Sequence, residues 1–314
     1  MSLPDTPMPP RHLLAGSERI VLIDTEGGIT LLHPERLIQI DPTRYPFSGE
    51  VTRATLLGDH HLAAMWVQRE IGIARMAVLD LRQPLVDGPD LPTLRNAMDQ
   101  RQLDMHQVAG AEWSHILDAE PLAICTSEGE LVFCTHKRGI YRIDASAEER
   151  WRRKSPEWET LENLPDGQVI VSMVAEGDSI WAFSLGGGYA QMRASDGETI
   201  RKGVLLLAAK LERAWHGDGE WMLGLSHQKI ARWTPDSKNA NLEIVGTQGP
   251  VHDALKTTDG WYMTGWREDL VWDRSGLRHE PRMELGMRLI EHAEHGTVVL
   301  DNIGRWTPFN ADTQ

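Results

Sequence analysis

The hexapeptide IARWTP at residues 230–235 returns as IGRWTP at 303–308, and the short glycine turn ahead of each copy returns more often still. Around these turns the chain reads AGS-ERIVLID, LGDH-HLAAMWV, SEG-ELVFCT, EGD-SIWAFSL, GDG-EWMLGL, TDG-WYMTGW and EHG-TVVLDN. Their glycines are Gly16, Gly58, Gly129, Gly177, Gly219, Gly260 and Gly296, spaced 42, 71, 48, 42, 41 and 36 residues by subtraction. Five of the six intervals fit one supersecondary unit, and such a period is the signature of a repeat architecture. It constrains the fold more than any other feature, because one unit cannot bury its apolar faces without neighbours.

Each unit can be read strand by strand. An apolar stretch precedes the turn: RHLLA, VTRATLL, PLAICT, QVIVSMV, LERAW, VHDALK and MRLIE. A second strand follows it, then a polar turn and a third strand: ITLLH, ARMAVLDL, GIYRID, YAQMR, IARWTP, LVWD and IGRWTP. Alternation of apolar and polar residues marks these as half-buried antiparallel strands. Weaker fourth strands are expected at LIQID (37–41) and LEIVG (242–246). The reading is therefore all-β: one domain over 1–314, a seven-bladed β-propeller of four-stranded antiparallel blades with one short helical insertion. The blades fall near 11–48, 49–90, 109–155, 156–202, 203–247, 248–284 and 285–314, and the two hexapeptides are the third strands of the fifth and seventh. The 71-residue interval holds the insertion at 91–108, where Leu94, Met98 and Met105 lie near helical spacing between blades two and three. EWSHILDAEP (112–121) and PEWETLENLPD (156–166) read as lead-ins to blades three and four. The seventh unit ends after its third strand, so the segment before Arg11 is expected to supply or cover that edge.

A chain of 314 residues needs no disulfide or metal staple, since it can bury roughly three quarters of its unfolded surface. Many of the 12 Trp fall on second or third strands, among them Trp66, Trp181, Trp221, Trp233, Trp261, Trp272 and Trp306, and are expected to pack between blades. Cys125 and Cys134 lie in PLAICTSEGELVFC; a hairpin turning at SEGE sets them across two strands as a reduced, buried pair. The formal charge of −14 argues against nucleic acid as the main partner, because that binding rests on phosphate neutralisation. The basic run RWRRK, Arg150 to Lys154, reads as a charged outer strand. MSLPDTPMPPRHLLAG has no apolar core of a signal peptide, and no run reaches 18 apolar residues. A cytoplasmic protein with no membrane span is expected.

Units three and four, EGELVFCTHKRGIYRIDASAEERW and GDSIWAFSLGGGYAQMRASDGETI, resemble the WD40-like and quinoprotein-like (PQQ-like) repeat. In that repeat a Gly turn, an apolar-aromatic strand and an Ala-x-Asp-x-x-Gly-like turn recur. Trp-Asp itself occurs once, at Trp272-Asp273. The resemblance implies the fold; propellers carry scaffolds, receptors, lyases and hydrolases alike.

In such a fold the turns joining second to third strands share one end with the blade-connecting loops. Here they are DTEGG (24–28), VQREIG (67–72), THKRG (135–139), SLGGG (184–188), SHQK (226–229), WRED (266–269) and DNIG (301–304). Arg69, Arg138, Lys229, Trp266 and Arg267 are the expected contacts to a protein or peptide partner, with Lys137 and Asp301 beside them. The function expected is a non-catalytic interaction platform with no cofactor. The alternative is a small-molecule lyase or hydrolase using His136 or His227 with Glu70 or Asp269 as acid–base pair. No metal site is expected: EHAEHG, with Glu291, His292, Glu294 and His295, matches no zinc spacing, and His60-His61 recurs with the repeat turn. Gly186 to Gly188 lacks the Lys-Ser/Thr and helix of a phosphate loop and reads as a hairpin turn.

Overall fold

The computed structural model describes residues 3–102, 104, 106–235 and 241–309. Among these the chain forms seven antiparallel sheets, the blades of a seven-bladed β-propeller, in two compact units: Arg11–Ser155, and Pro156–Gln314 with Met1–Pro10.

Three blades belong to the first unit. The first pairs β1 (Pro10–Ala15), β2 (Ile20–Asp24) and β3 (Ile29–Leu32). The second pairs β4 (Glu50–Leu57), β5 (His61–Gln68), β6 (Ile73–Asp80) and β7 (Ala111–Leu117), and the third β8 (Pro121–Ser127), β9 (Glu130–Thr135), β10 (Gly139–Ile143) and β11 (Glu149–Arg153). In the other unit, the fourth blade holds β12 (Ile170–Glu176), β13 (Ser179–Ser184), β14 (Gly188–Arg193) and β15 (Thr199–Val204). The fifth holds β16 (Leu211–Gly217), β17 (Glu220–Leu225), β18 (Lys229–Thr234) and β19 (Asn241–Gly246). β20 (Val251–Thr257), β21 (Gly260–Gly265), β22 (Glu268–Asp273) and β23 (Gly276–Pro281) make the sixth, and β24 (Gly286–His292), β25 (Gly296–Asp301) and β26 (Trp306–Pro308) the seventh.

The period in the sequence is thus one turn per blade. At Gly219 φ is 73°, a left-handed backbone that glycine adopts without a Cβ clash. The two hexapeptides do fall on third strands, but in different registers. Trp233 lies opposite Trp221, the second residue of β17, whereas Trp306 lies opposite Leu300, the fifth residue of β25. Ile230 is buried in its strand and Ile303 is exposed in a turn. The Trp side chains are core in both, because a sheet face is set by the strand period of two and not by sequence identity.

Three expectations change. Ala111–Leu117 pairs with β6, so it is the fourth strand of the second blade and not a lead-in to the third. The insertion therefore lies inside blade two, between β6 and β7. Its helix, α1 (Leu91–Asp99), starts at Asp90, whose carboxylate accepts the Thr93 N–H at 3.0 Å. It buries Leu94 and Ala97, spaced for one face, while Met98 is exposed; Met105 lies outside the described residues. LIQID is not a strand: the segment touches β3 only through isolated bridges, Leu32 to Gln39 and Ile29 to Arg44, and Leu37 is left-handed. LEIVG does form β19. Finally, Cys125 lies opposite Val132 and Cys134 opposite Ala123, so the thiols are diagonal neighbours. Both are free, and burial pushes each up to about 12.

All seven Trp named above are buried. Between blades four and five, Trp181, Phe183, Tyr189, Trp221 and Trp233 form one aromatic cluster, with centroids 5.1 Å apart for Trp181–Trp221 and 4.8 Å for Tyr189–Trp233. Removing one such ring is expected to cost about 3–5 kcal/mol. RWRRK lies on the outer strand β11: Trp151 is buried, while Arg150 pairs with Glu130 and Asp144, and Arg152 with Glu149. Two of its four cations are thus spent in local pairs.

Candidate functional site

In the four-blade unit, every turn joining a second to a third strand is tied by backbone hydrogen bonds to the blade-connecting segments beside it. The Leu185 N–H donates to Val169 O and the Leu205 N–H to Gly187 O, each at 2.9 Å or less. Ser226 is held by Lys210 O and the Gln228 carbonyl by Thr247 N–H, at 2.8 and 2.9 Å. Trp266 N–H reaches Pro250 O at 3.0 Å, and Arg282 N–H reaches Arg267 O at 2.9 Å. In blade seven the Asn302 N–H donates to Leu285 O at 2.9 Å, and Thr6 takes the other flank, its N–H reaching Gly304 O at 2.6 Å. The segment before Arg11 thus covers the seventh blade at this turn rather than by a ladder strand.

Side chains stiffen the same turns. Asp301, the last residue of β25, accepts the Ile303 and Arg305 N–H groups at 2.9 and 2.8 Å, and Ser184 Oγ accepts the Gly188 N–H at 2.9 Å. In the other unit Asp24 does likewise for Glu26 and Gly28, at 2.7 and 2.9 Å. The glycine run is a tight hairpin: a Cβ on Gly188 would lie 2.5 Å from the Trp158 ring.

Each of these turns holds at least one left-handed residue. Blades one, two, four and seven place glycine there, Gly27 at φ 92°, Gly72 at 65°, Gly187 at 89° and Gly304 at 87°. Blades three, five and six place Lys137 (58°), His227 and Gln228 (59° and 57°) and Arg267 (54°). A side chain held there costs about 1–2 kcal/mol, and residues retained at such a cost cluster at sites of contact.

What these turns display differs between the two units. In the three-blade unit the two turn arginines are paired, while Lys137 makes no ion pair among the described residues. Arg69 forks onto Glu50 at 3.0 and 2.7 Å and lies 3.6 Å from Glu120; Arg138 meets Asp118 at 3.1 Å; Glu70 pairs with Arg95. Burial raises the Glu50 carboxyl, but Arg69 and Arg11 outweigh it and hold the group below its ordinary value. In the four-blade unit Lys229 and Arg267 make no ion pair among the described residues. Beside them stand exposed apolar side chains: Trp266, which the sequence placed on its turn, and others that sequence reasoning missed. Leu206 is 89 % exposed, Met283 79 % and Trp266 48 %, with Ile303 and Leu164 also exposed. Each occupies a blade-connecting segment or a second-to-third-strand turn. In the sequence Leu206 lies within an ordinary apolar run, GVLLLAAK, and Met283 is a lone apolar residue in the charged stretch EPRME; neither context marks an exposed contact.

Trp266 and Arg267 rest on two buried carboxylates. Glu268 accepts the Gln248 N–H and is bonded to His279 Nδ1, both at 2.8 Å. Asp269 accepts the Thr264 hydroxyl at 2.7 Å and the Arg282 fork at 3.0 and 2.8 Å. Asp269 is 2 % exposed and its oxygens are engaged, so it supports the turn and is not placed as an acid or base. His136 and His227 sit at their turns with no hydrogen bond to a carboxylate among the described residues. The acid–base pair is not assembled.

Two clefts of about 600 Å³ lie among the described residues. One is lined by Tyr262 and Phe309, stacked at 4.6 Å, and by His292 and His295, whose centroids are 4.8 Å apart. His292 Nδ1 accepts the Glu294 and His295 N–H groups at 3.1 and 3.3 Å. That fixes the proton on Nε2 and makes this imidazole a poor metal ligand there. The other cleft, in the three-blade unit, is lined by Glu26, Tyr45, Glu50, Asp87 and Asp90; Arg11, Arg69 and Arg44 neutralise two of its four carboxylates.

This is the fold of the WD40-like propeller class, and comparison with solved structures agrees. The chain is similar to the β-propeller domain of Cps50 (Swd1) from Myceliophteria thermophila, at TM-score 0.67 and 10 % identity over 96 % of each chain. It is similar to the WD40 β-propeller domain of Doa1, at TM-score 0.64 and 9 % identity over 98 % of this chain and 94 % of that one. The computationally designed Ika8 protein matches at TM-score 0.60 and 12 % identity over 97 % of each chain. Identities this low carry the fold alone. No protein-family model matches the chain, and no curated protein matches it in sequence.

Proposed function

We propose that the protein is a non-catalytic platform that binds a protein or peptide partner through the turns of its four-blade unit. The observation that carries this is the set of exposed apolar side chains, Leu206, Trp266, Met283 and Ile303, on backbone tied down on both flanks. Exposed apolar surface on a rigid frame binds at little ordering cost, and Trp and Arg anchors tend to dominate the energy. Lys229 and Arg267 add cationic groups that make no ion pair among the described residues, which favours an apolar segment flanked by carboxylates. Among the described residues no helix is long and apolar enough to cross a membrane.

The test is affinity capture from native lysate with wild type, Trp266→Ala, Met283→Asp and Arg138→Glu, alongside thermal melts. A stoichiometric protein kept by Arg138→Glu but lost by the other two, at unchanged Tm, supports the reading. The reverse pattern moves the site to the three-blade unit and overturns it.

A further inference from the structure

At one end of blade two, three neighbouring strands each offer a metal-ligating side chain. His61 opens β5, Asp80 closes β6, and Glu112 is the second residue of β7. The ladder pairs His61 with Asp80 and Leu79 with Ala111, which brings Glu112 alongside across a bulge between Val78 and Leu79. One ligand atom from each residue lies within 4.8 Å of the other two. His61 Nε2 and Glu112 Oε1 are 3.4 Å apart. We propose that His61, Asp80 and Glu112 bind one zinc-class divalent cation.

The spacing suits that ion. Zinc bonds to imidazole nitrogen and carboxylate oxygen run about 2.0–2.2 Å, which places tetrahedral corners about 3.4 Å apart. The His61–Glu112 edge already has this length, and a small closure of Asp80 completes three corners. Water takes the fourth. The imidazole selects against magnesium and calcium, which prefer oxygen throughout.

Asp80 is also bonded to Arg82, with Nε to Oδ1 at 2.9 Å and Nη2 to Oδ2 at 3.0 Å. Oδ1 also accepts the Arg82 backbone N–H at 3.0 Å, so Oδ2 is the oxygen with a lone pair left for a metal beside the fork. Arg82 then orients the ligand from outside, as hydrogen-bonded partners do around known metal sites. His60 faces away to Glu18, its Nδ1 3.3 Å from the carboxylate, and serves as a control. A bound ion would tie β7, which re-enters the sheet after the helical insertion, to β5 and β6.

The experiment is calorimetric titration of the chelator-treated full chain with zinc chloride and with magnesium chloride. Hydrogen exchange of residues 113–117 is followed in parallel. Expected are one zinc per chain, no magnesium heat, slowed exchange in β7, and at least tenfold weaker zinc binding in His61→Ala and in Glu112→Gln. His60→Ala is expected to bind zinc as wild type does. Melts in chelator show that the variants fold. Zinc binding unchanged in His61→Ala, slowed exchange elsewhere only, or no one-to-one binding below about 100 µM overturns the proposal.

Discussion

Arg267 carries a left-handed backbone where blades four and seven use glycine, so its side chain is held outward at an energetic cost. Arg267→Gly is therefore expected to leave stability unchanged or raise it by up to about 1 kcal/mol, while partner capture is lost. A fall in Tm would make Arg267 a structural residue. His252 is a different kind of residue, half-buried with its Nδ1 2.9 Å from Gly286 O. Burial, with Arg213 and Arg288 nearby, depresses its pKa against the pull of Gly286 and Asp253. Its unfolded pKa is about 6.5, so above that pH both states are neutral and the full stability is present. Below it the unfolded chain takes the proton first, and stability falls until the folded pKa is passed. His252→Gln is expected to shrink the loss of Tm between pH 7.5 and 5.5; an identical loss would remove His252 as a source.

Among the elements, α1 shows what local rules decide and where they stop. Asp90 and Pro92 mark its start in the sequence, and it ends in a Schellman motif. There Gln102 N–H reaches Ala97 O at 2.7 Å and Arg101 N–H reaches Met98 O at 3.0 Å. Arg101 takes the left-handed position at φ 58°, a place that glycine fills without strain. Arg101→Gly is expected to raise stability by about 1 kcal/mol in denaturant unfolding, and a loss would show that the side chain holds the helix in place. Helical spacing alone extended the element to residue 108 and gave it a face through Met98. The face that packs is Leu94 and Ala97, because a helix this short turns toward whatever apolar surface the neighbouring sheet presents. The same limit applies to LIQID, whose alternation reads as a strand although no regular ladder forms there.

Across the four-blade unit, Thr6 occupies the flank of blade seven that blade-connecting loops occupy in blades four to six. Deleting residues 1–7 is expected to speed hydrogen exchange at 302–306 and to lower Tm by a few degrees. Unchanged exchange would mean the contact carries no stability. The repeat of glycine turns and alternating strands determined the class of fold, the blade count and the Trp core, because period-two alternation and burial of Trp are properties of short segments. It also placed Trp266 and Arg267 on a turn, whereas Lys229, expected on one, opens β18. Which cations are spent in ion pairs, that Asp269 lies buried under Arg282, and that Leu206 and Met283 are exposed were decided by tertiary structure alone. Pairing and exposure depend on groups brought together from distant parts of the chain, and no local pattern records which neighbour a side chain will meet.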